Sequence, residues 1–194
     1  AASGKEIRRL DAGAKTARVM RSYAQWQANL SCAALGDAFV LTDNDGVLKR
    51  IENDKITASE VAATKVAAAG GGRLLVLRAA GARDVAGLGR LSWVGPDRLF
   101  VIEPDGKERE IAVPRAPVGS FCADGEGGAI LLATCAPLAP YGPMRGLHVV
   151  PMQGGEPRAL DGWRDIARVC PGESGWIVTG RRAGGVKGVY LLSA

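Results

Sequence analysis

Apolar and polar residues alternate in short runs along this chain, and glycine-containing turns separate the runs. In residues 146–162, GLHVVPMQGGEPRALDG, an apolar run meets a Gly-Gly pair and then a second run edged with polar residues. That is the pattern of a β-hairpin whose turn needs a residue at positive φ. Three stretches repeat it: FVLTDNDGVLKRIEN from Phe39, LLVLRAAGARDVAG from Leu74 and LFVIEPDGKEREIAV from Leu99. A split fifth copy comes from the chain ends, with VYLLSA (189–194) leading into AASGKEIRRLD (1–11). Aligned on the turn glycine, the copies place Gly4, Gly46, Gly81, Gly106 and Gly155 at equivalent positions, so residues 1–194 read as one repeat array.

The individual strands follow from the same alternation. From residue 117 onward VGSFCAD, AILLATC, GLHVVPM and EPRAL predict four strands, and DIARVC, WIVTG, GVYLLS and the N-terminal KEIRRL predict four more. In the middle, VAATKVA, RLLVLRA, ARDVAG, RLSWV, RLFVIE and KEREIAV predict six strands whose division into sheets the pattern does not reveal. Near the N-terminus TARVMRS and ANLSCAA are read as two strands, with a helix across 15–28 as the competing assignment. Units of about 40 residues holding four antiparallel strands are propeller blades. The expected fold class is therefore all-β: a small closed β-propeller of about five blades, each of three or four antiparallel strands. The N-terminal strand is expected to complete the last blade and so remove an exposed sheet edge.

GGEPRALDGWRDIARVCPGESGWIVTG resembles the repeat of TolB-type and WD-repeat-like propellers, in which a Gly-Gly hairpin precedes a strand, a turn with Asp, Pro or Gly, and another strand. DGKEREI, and VGPD before RLFVIE, are similar in kind. The resemblance is carried by residues 117–194. The family's Ser-Pro-Asp-Gly turn departs here to VGPD, ADGEGG and CPGESG, and five hairpins stand where the TolB type has six blades. What the resemblance implies is a binding scaffold, often periplasmic, with no catalytic residues to carry across.

Composition narrows the chemistry. With 27 glycines the chain has many tight turns, and 47% apolar with 23% charged residues suits a folded domain. The net charge of +5 favours anionic partners but is dispersed, which argues against nucleic acid. No apolar run reaches the length of a membrane-spanning helix. The chain begins Ala-Ala-Ser, as a mature exported protein does, and an extracytoplasmic location is the expectation. Cys32, Cys122, Cys135 and Cys170 form no CxxC motif, and His148 is the single histidine, so neither a metal site nor a cofactor is expected. Whether the four cysteines are bridged or free is left open by the sequence.

Catalytic motifs are missing. His148 lies between Leu147 and Val149 and reads as a packed or edge residue, and GGG at 70–72 has no following Lys-Ser/Thr. Glu60, Asp124, Glu126 and Asp165 sit at turns or strand ends, unlike a glycosidase pair. The Asp43–Gly46 turn, DNDG, lacks the further acids of a calcium loop and is expected to be a plain turn. The chain is therefore read as a non-enzyme.

Recognition is the better-supported class. The loops 136–146 and 181–187, with the connection DGWRD between them, are predicted to emerge side by side. They bring together Tyr141, Met144, Arg145, Trp163, Arg164, Arg181, Arg182 and Lys187, residue types that dominate protein interfaces. The competing reading packs Trp163 beneath the loop and leaves the arginines solvated. Trp26, Trp93 and Trp176 are expected in the core. The function expected is a protein-interaction module whose partner has an acidic surface, an accessory or scaffold subunit of a larger assembly. The alternative is a lectin-like, carbohydrate-binding propeller.

Overall fold

A computed structural model describes residues 6–9, 18–22, 31–53, 55–84 and 91–193. The chain divides into two compact units, residues 1–67 and 68–194.

In the first unit β1 (Glu6–Arg9) pairs antiparallel with β2 (Arg18–Ser22). β3 (Ser31–Leu35), β4 (Ala38–Thr42), β5 (Val47–Glu52) and β6 (Lys55–Ala62) form a four-stranded antiparallel sheet in chain order. Leu41 and Ile51 on its two central strands are buried, with Cys32 and Phe39 packed against them. The DNDG turn between β4 and β5 is closed by Gly46, at φ 71°, whose N–H donates to Asp43 O over 3.1 Å. Its carboxylates hold a side-chain cation: Lys49 Nζ donates to Asp43 Oδ1 at 2.8 Å and Oδ2 at 2.9 Å, and also to Asp45. Burial alone would lower the pKa of Lys49, but the two carboxylates outweigh it and hold the ammonium above its usual value.

The described part of the N-terminal strand, Glu6–Arg9, is hydrogen-bonded on one edge to Arg18–Ser22. Residues 15–17 and 23–28 of the competing helix, and Gly4, lie outside the described residues.

The second unit begins within β7 (Lys65–Ala69). It continues with β8 (Arg73–Arg78), β9 (Ala82–Asp84), β10 (Leu91–Trp93), β11 (Arg98–Ile102) and β12 (Glu108–Ile111). All six strands expected in the middle are present, and their division is now legible. β7, β8, β11 and β12 form one sheet in that order, while β9 and β10 pair with each other as an insertion between β8 and β11. Gly81 has the positive φ expected of it, 82°, but it joins two sheets instead of folding β8 onto β9. The buried run Leu74–Leu77 suits this pairing, because β11 supplies an equally buried partner in Leu99–Val101.

β13 (Val118–Ala123), β14 (Ala129–Thr134), β15 (Gly146–Pro151) and β16 (Arg158–Ala159) make a further four-stranded sheet in chain order. β17 (Trp163–Gly172), β18 (Gly175–Arg182) and β19 (Lys187–Ser193) make a three-stranded one. The alternation of these strands buries Val169, Trp176 and Val178 against Cys122, Leu131, Ala133 and Leu147, with Tyr190 and Leu192 at the margin. None of the four cysteines is in a disulfide. Burial, followed by the nearby Cys170 and Asp124, pushes the Cys122 thiol up to about 12. No helix among the described residues is long and apolar enough to cross a membrane.

Candidate functional site

In an antiparallel meander, the connection between second and third strands leaves from the same end of the sheet as the connection onward to the next sheet. In the second unit that end is built from residues 79–84, 91–97, 112–117, 135–145, 160–162 and 183–186. Backbone bonds tie these segments together. Trp93 N donates to Pro137 O at 2.8 Å, Cys135 N to Pro117 O at 2.9 Å, and Ile166 N to Met144 O at 2.9 Å. Beneath them Asp97, only 3% exposed, accepts from Ala80 N and Trp93 Nε1 at Oδ1 (2.8 and 2.9 Å) and from Val118 N at Oδ2 (2.8 Å). Asp97 is the last residue of the VGPD turn, which thus acts as a structural joint; its Gly95 is required because a Cβ there would stand 2.1 Å from the Trp93 ring.

At this end a cavity of about 420 Å³ is lined by Arg145, Trp163, Arg164, Asp165 and Arg181. Four of the eight residues singled out from the sequence therefore surround one space, contributed by two neighbouring sheets. Arg145 is held by its own backbone, which donates to Thr134 O at 2.8 Å. Arg164 and Arg181 stand directly opposite each other on β17 and β18. The register slips between Arg164 and Arg168, and Asp165 within that bulge has φ 51°. Bulges re-aim side chains, and this one brings the Asp165 carboxylate to 3.8 Å from Arg181 Nε. Asp165 is the cavity residue that sequence reasoning considered only as a catalytic acid. Its neighbour Arg164 in DGWRD was the available signal.

The other candidates divide. Trp163 is 7% exposed and meets the Tyr190 ring edge-on, with centroids 5.1 Å apart and planes at 87°, so it is the floor of the cavity. Met144 is a correction: at 9% exposure it belongs to the core, where its side chain fills the space that Gly119 leaves by lacking a Cβ. Tyr141 is 75% exposed at the tip of the 135–145 loop, and neither it nor Arg182 nor Lys187 lines the cavity. Trp176 is buried as expected. Trp93 is half-buried, and Trp26 lies outside the described residues. His148 is packed on β15 with Nε2 3.4 Å from Thr134 Oγ1, and burial lowers its pKa.

The likeness to solved structures now fits this geometry. No protein-family model matches the chain, and no curated protein matches it. The β-propeller domain of Myceliophteria thermophila Cps50 (Swd1) superposes with a TM-score of 0.55 at 14% identity, over 92% of this chain and 59% of that one. This chain is a β-propeller. Virginiamycin B lyase from Staphylococcus aureus superposes with a TM-score of 0.53 at 12% identity, over 92% of this chain and 57% of that one. The propeller described here thus spans less than two thirds of the length of either neighbour. Among the described residues four sheets have three or four antiparallel strands, in keeping with the small propeller of about five blades expected from the hairpin repeats.

Proposed function

We propose that this propeller is a non-catalytic protein-interaction module, an accessory or scaffold subunit of an extracytoplasmic assembly, and that it engages an acidic partner surface through the cavity of Arg145, Arg164 and Arg181. The observation that carries this reading is the convergence of three guanidinium groups from two sheets on one cavity with a single carboxylate among its lining residues. Arginines offer forked donors that match carboxylates, and a rigid aromatic floor lowers the cost of ordering them. The 135–145 loop adds to this preorganisation, because its turns at Ala136–Ala139 and Ala139–Gly142 are already hydrogen-bonded.

The carbohydrate alternative has less support. Trp163 and Trp176 are buried and Trp93 spends its N–H on Asp97, which leaves Tyr141 as the exposed ring on this end among the described residues. The test is crosslinked capture from envelope and soluble fractions, comparing the native chain with an Arg145→Ala, Arg164→Ala, Arg181→Ala variant. All three side chains are exposed or half-exposed, so the variant should fold. A partner captured by the first and lost by the second supports the reading. A partner retained by both refutes the site, and capture of nothing refutes the module.

A further inference from the structure

The charged groups around the cavity are arranged unevenly. Arg164 and Arg181 are directly opposed on β17 and β18, so they share one face of that sheet. Asp165 follows Arg164 in the bulge, with its carboxylate 3.8 Å from Arg181 Nε. Arg145 comes from the neighbouring sheet, where it immediately precedes β15. One wall therefore sets two cations beside an acceptor, and the other wall contributes a third cation.

Asp165 is held in this place by its neighbours. Its φ of 51° is one that residues other than glycine seldom adopt, and such a conformation persists only where the surroundings enforce it. Ile166, next along the chain, is pinned by its N–H, which donates to Met144 O at 2.9 Å. Gly180 on β18 leaves room for the bulge, since a Cβ there would stand 3.1 Å from Ile166 Cα. The carboxylate is thus fixed beside Arg181 before any ligand arrives. A guanidinium that gives its Nε side to one carboxylate still has the fork of its two terminal nitrogens for another.

The charge balance says what the ligand should carry. Three guanidinium groups and one carboxylate leave two positive charges over, so a group with two negative charges is the complement. The volume of about 420 Å³ lies in the lower part of the range for ligand sites and suits a chain end, not a long stretch of surface. An acidic residue at the end of a chain brings both charges at once, as its α-carboxylate and its side-chain carboxylate. It also brings a peptide N–H on the same Cα as the α-carboxylate.

We propose that the cavity takes the C-terminal aspartate or glutamate of the partner protein, with the α-carboxylate on Arg164 and Arg181, the N–H of that residue on Asp165, and the side-chain carboxylate on Arg145. The assignment follows from adjacency. The α-carboxylate and the N–H leave one carbon, so they belong where cations and an acceptor stand side by side, and the side chain reaches across to the other sheet. The inference rests on the reading of this cavity as the site for an acidic partner, and names the group it recognises.

The probe is a short glycine-serine peptide ending in aspartate with a free carboxyl terminus, labelled at its other end with an uncharged dye and followed by anisotropy against the whole chain. Amidating the terminus, or replacing the last residue with asparagine, should each weaken binding roughly tenfold. Arg145→Ala should remove the response to asparagine and keep the response to amidation, and Arg181→Ala should do the reverse. N-methylation of the last peptide nitrogen should weaken binding to the native chain about fivefold and leave an Asp165→Gly variant indifferent; glycine is chosen because it accepts the φ of 51°. Four results would overturn the proposal. One is no binding at millimolar peptide, and another is the same response to both peptide changes in Arg145→Ala and Arg181→Ala. A third is equal binding of an amidated peptide with two internal aspartates, which leaves the acidic partner standing and removes only the chain end. The fourth is displacement by free aspartate at concentrations as low as the peptide itself needs, which makes the site one for an amino acid.

Discussion

Replacing Asp97 with alanine should be among the most damaging single changes on the candidate face, although Asp97 does not line the cavity. Its two oxygens accept three hydrogen bonds of 2.8–2.9 Å, from Ala80 N, Trp93 Nε1 and Val118 N. At 3% exposure water does not replace them freely. A hydrogen bond to a charged acceptor contributes about 1.5–3 kcal/mol, and bonds that share one acceptor are not additive. The lower end of that range over three bonds gives a loss of about 4 kcal/mol. For a chain of this size that corresponds to a fall in Tm of roughly 8–16 °C. The assay is thermal and urea unfolding followed by tryptophan fluorescence, with Asp97→Asn alongside. Asparagine keeps the shape and an acceptor for two donors but turns an N–H₂ toward the third, so it should lose about half as much. Because Trp93 N also anchors Pro137 of the 135–145 loop, Asp97→Ala should weaken partner capture as well. A loss under 1 kcal/mol for Asp97→Ala would refute the view of the VGPD turn as the joint between these segments.

Three further changes test other parts of the reasoning. Trp163→Ala removes a buried indole and should cost about 3–5 kcal/mol of stability, whereas Arg181→Ala should leave Tm within a few degrees and reduce only partner binding; urea melts read beside capture separate the two. Lys49→Met removes the ammonium that bridges the buried Asp43 carboxylate and Asp45 and should cost about 2–3 kcal/mol in the first unit, the low end for a buried pair because Asp45 is half-exposed; Lys49→Met with Asp43→Asn should recover part of it, as seen in amide exchange of β4 and β5. Cys122, its thiol raised to about 12, should resist thiol reagents at pH 8 in the folded chain. The linkage sign follows: the unfolded thiol ionises above about 8.5 while the folded one keeps its proton, so this contribution is whole below that pH and is lost as pH rises toward 12. Equal reactivity of native and urea-unfolded Cys122 would contradict the burial described here.

The strands were legible in the sequence because their signal is local. Alternation along AILLATC or GLHVVPM marks β14 and β15 without reference to anything else, and Gly46, Gly106 and Gly155 mark turns because only glycine adopts those φ values without strain. Lys55–Glu60 of β6 escaped notice for the converse reason, since its side chains are exposed on both faces and give no alternation. The grouping of Arg145, Trp163, Arg164 and Arg181 was also within reach, because strand parity alone decides from which end of a sheet each loop leaves.

What only the tertiary structure decided is partnership. Which strand lies beside β8, and whether Met144 faces a partner or fills the space above Gly119, both depend on residues distant in sequence. So does the choice between bridged and free cysteines, which turns on where four side chains come to rest. A strand states its own alternation, but the hydrogen bonds and the apolar cover at its edges are supplied by other segments. Backbone pairing is nearly indifferent to sequence, and it is the fit of the buried faces that selects among partners.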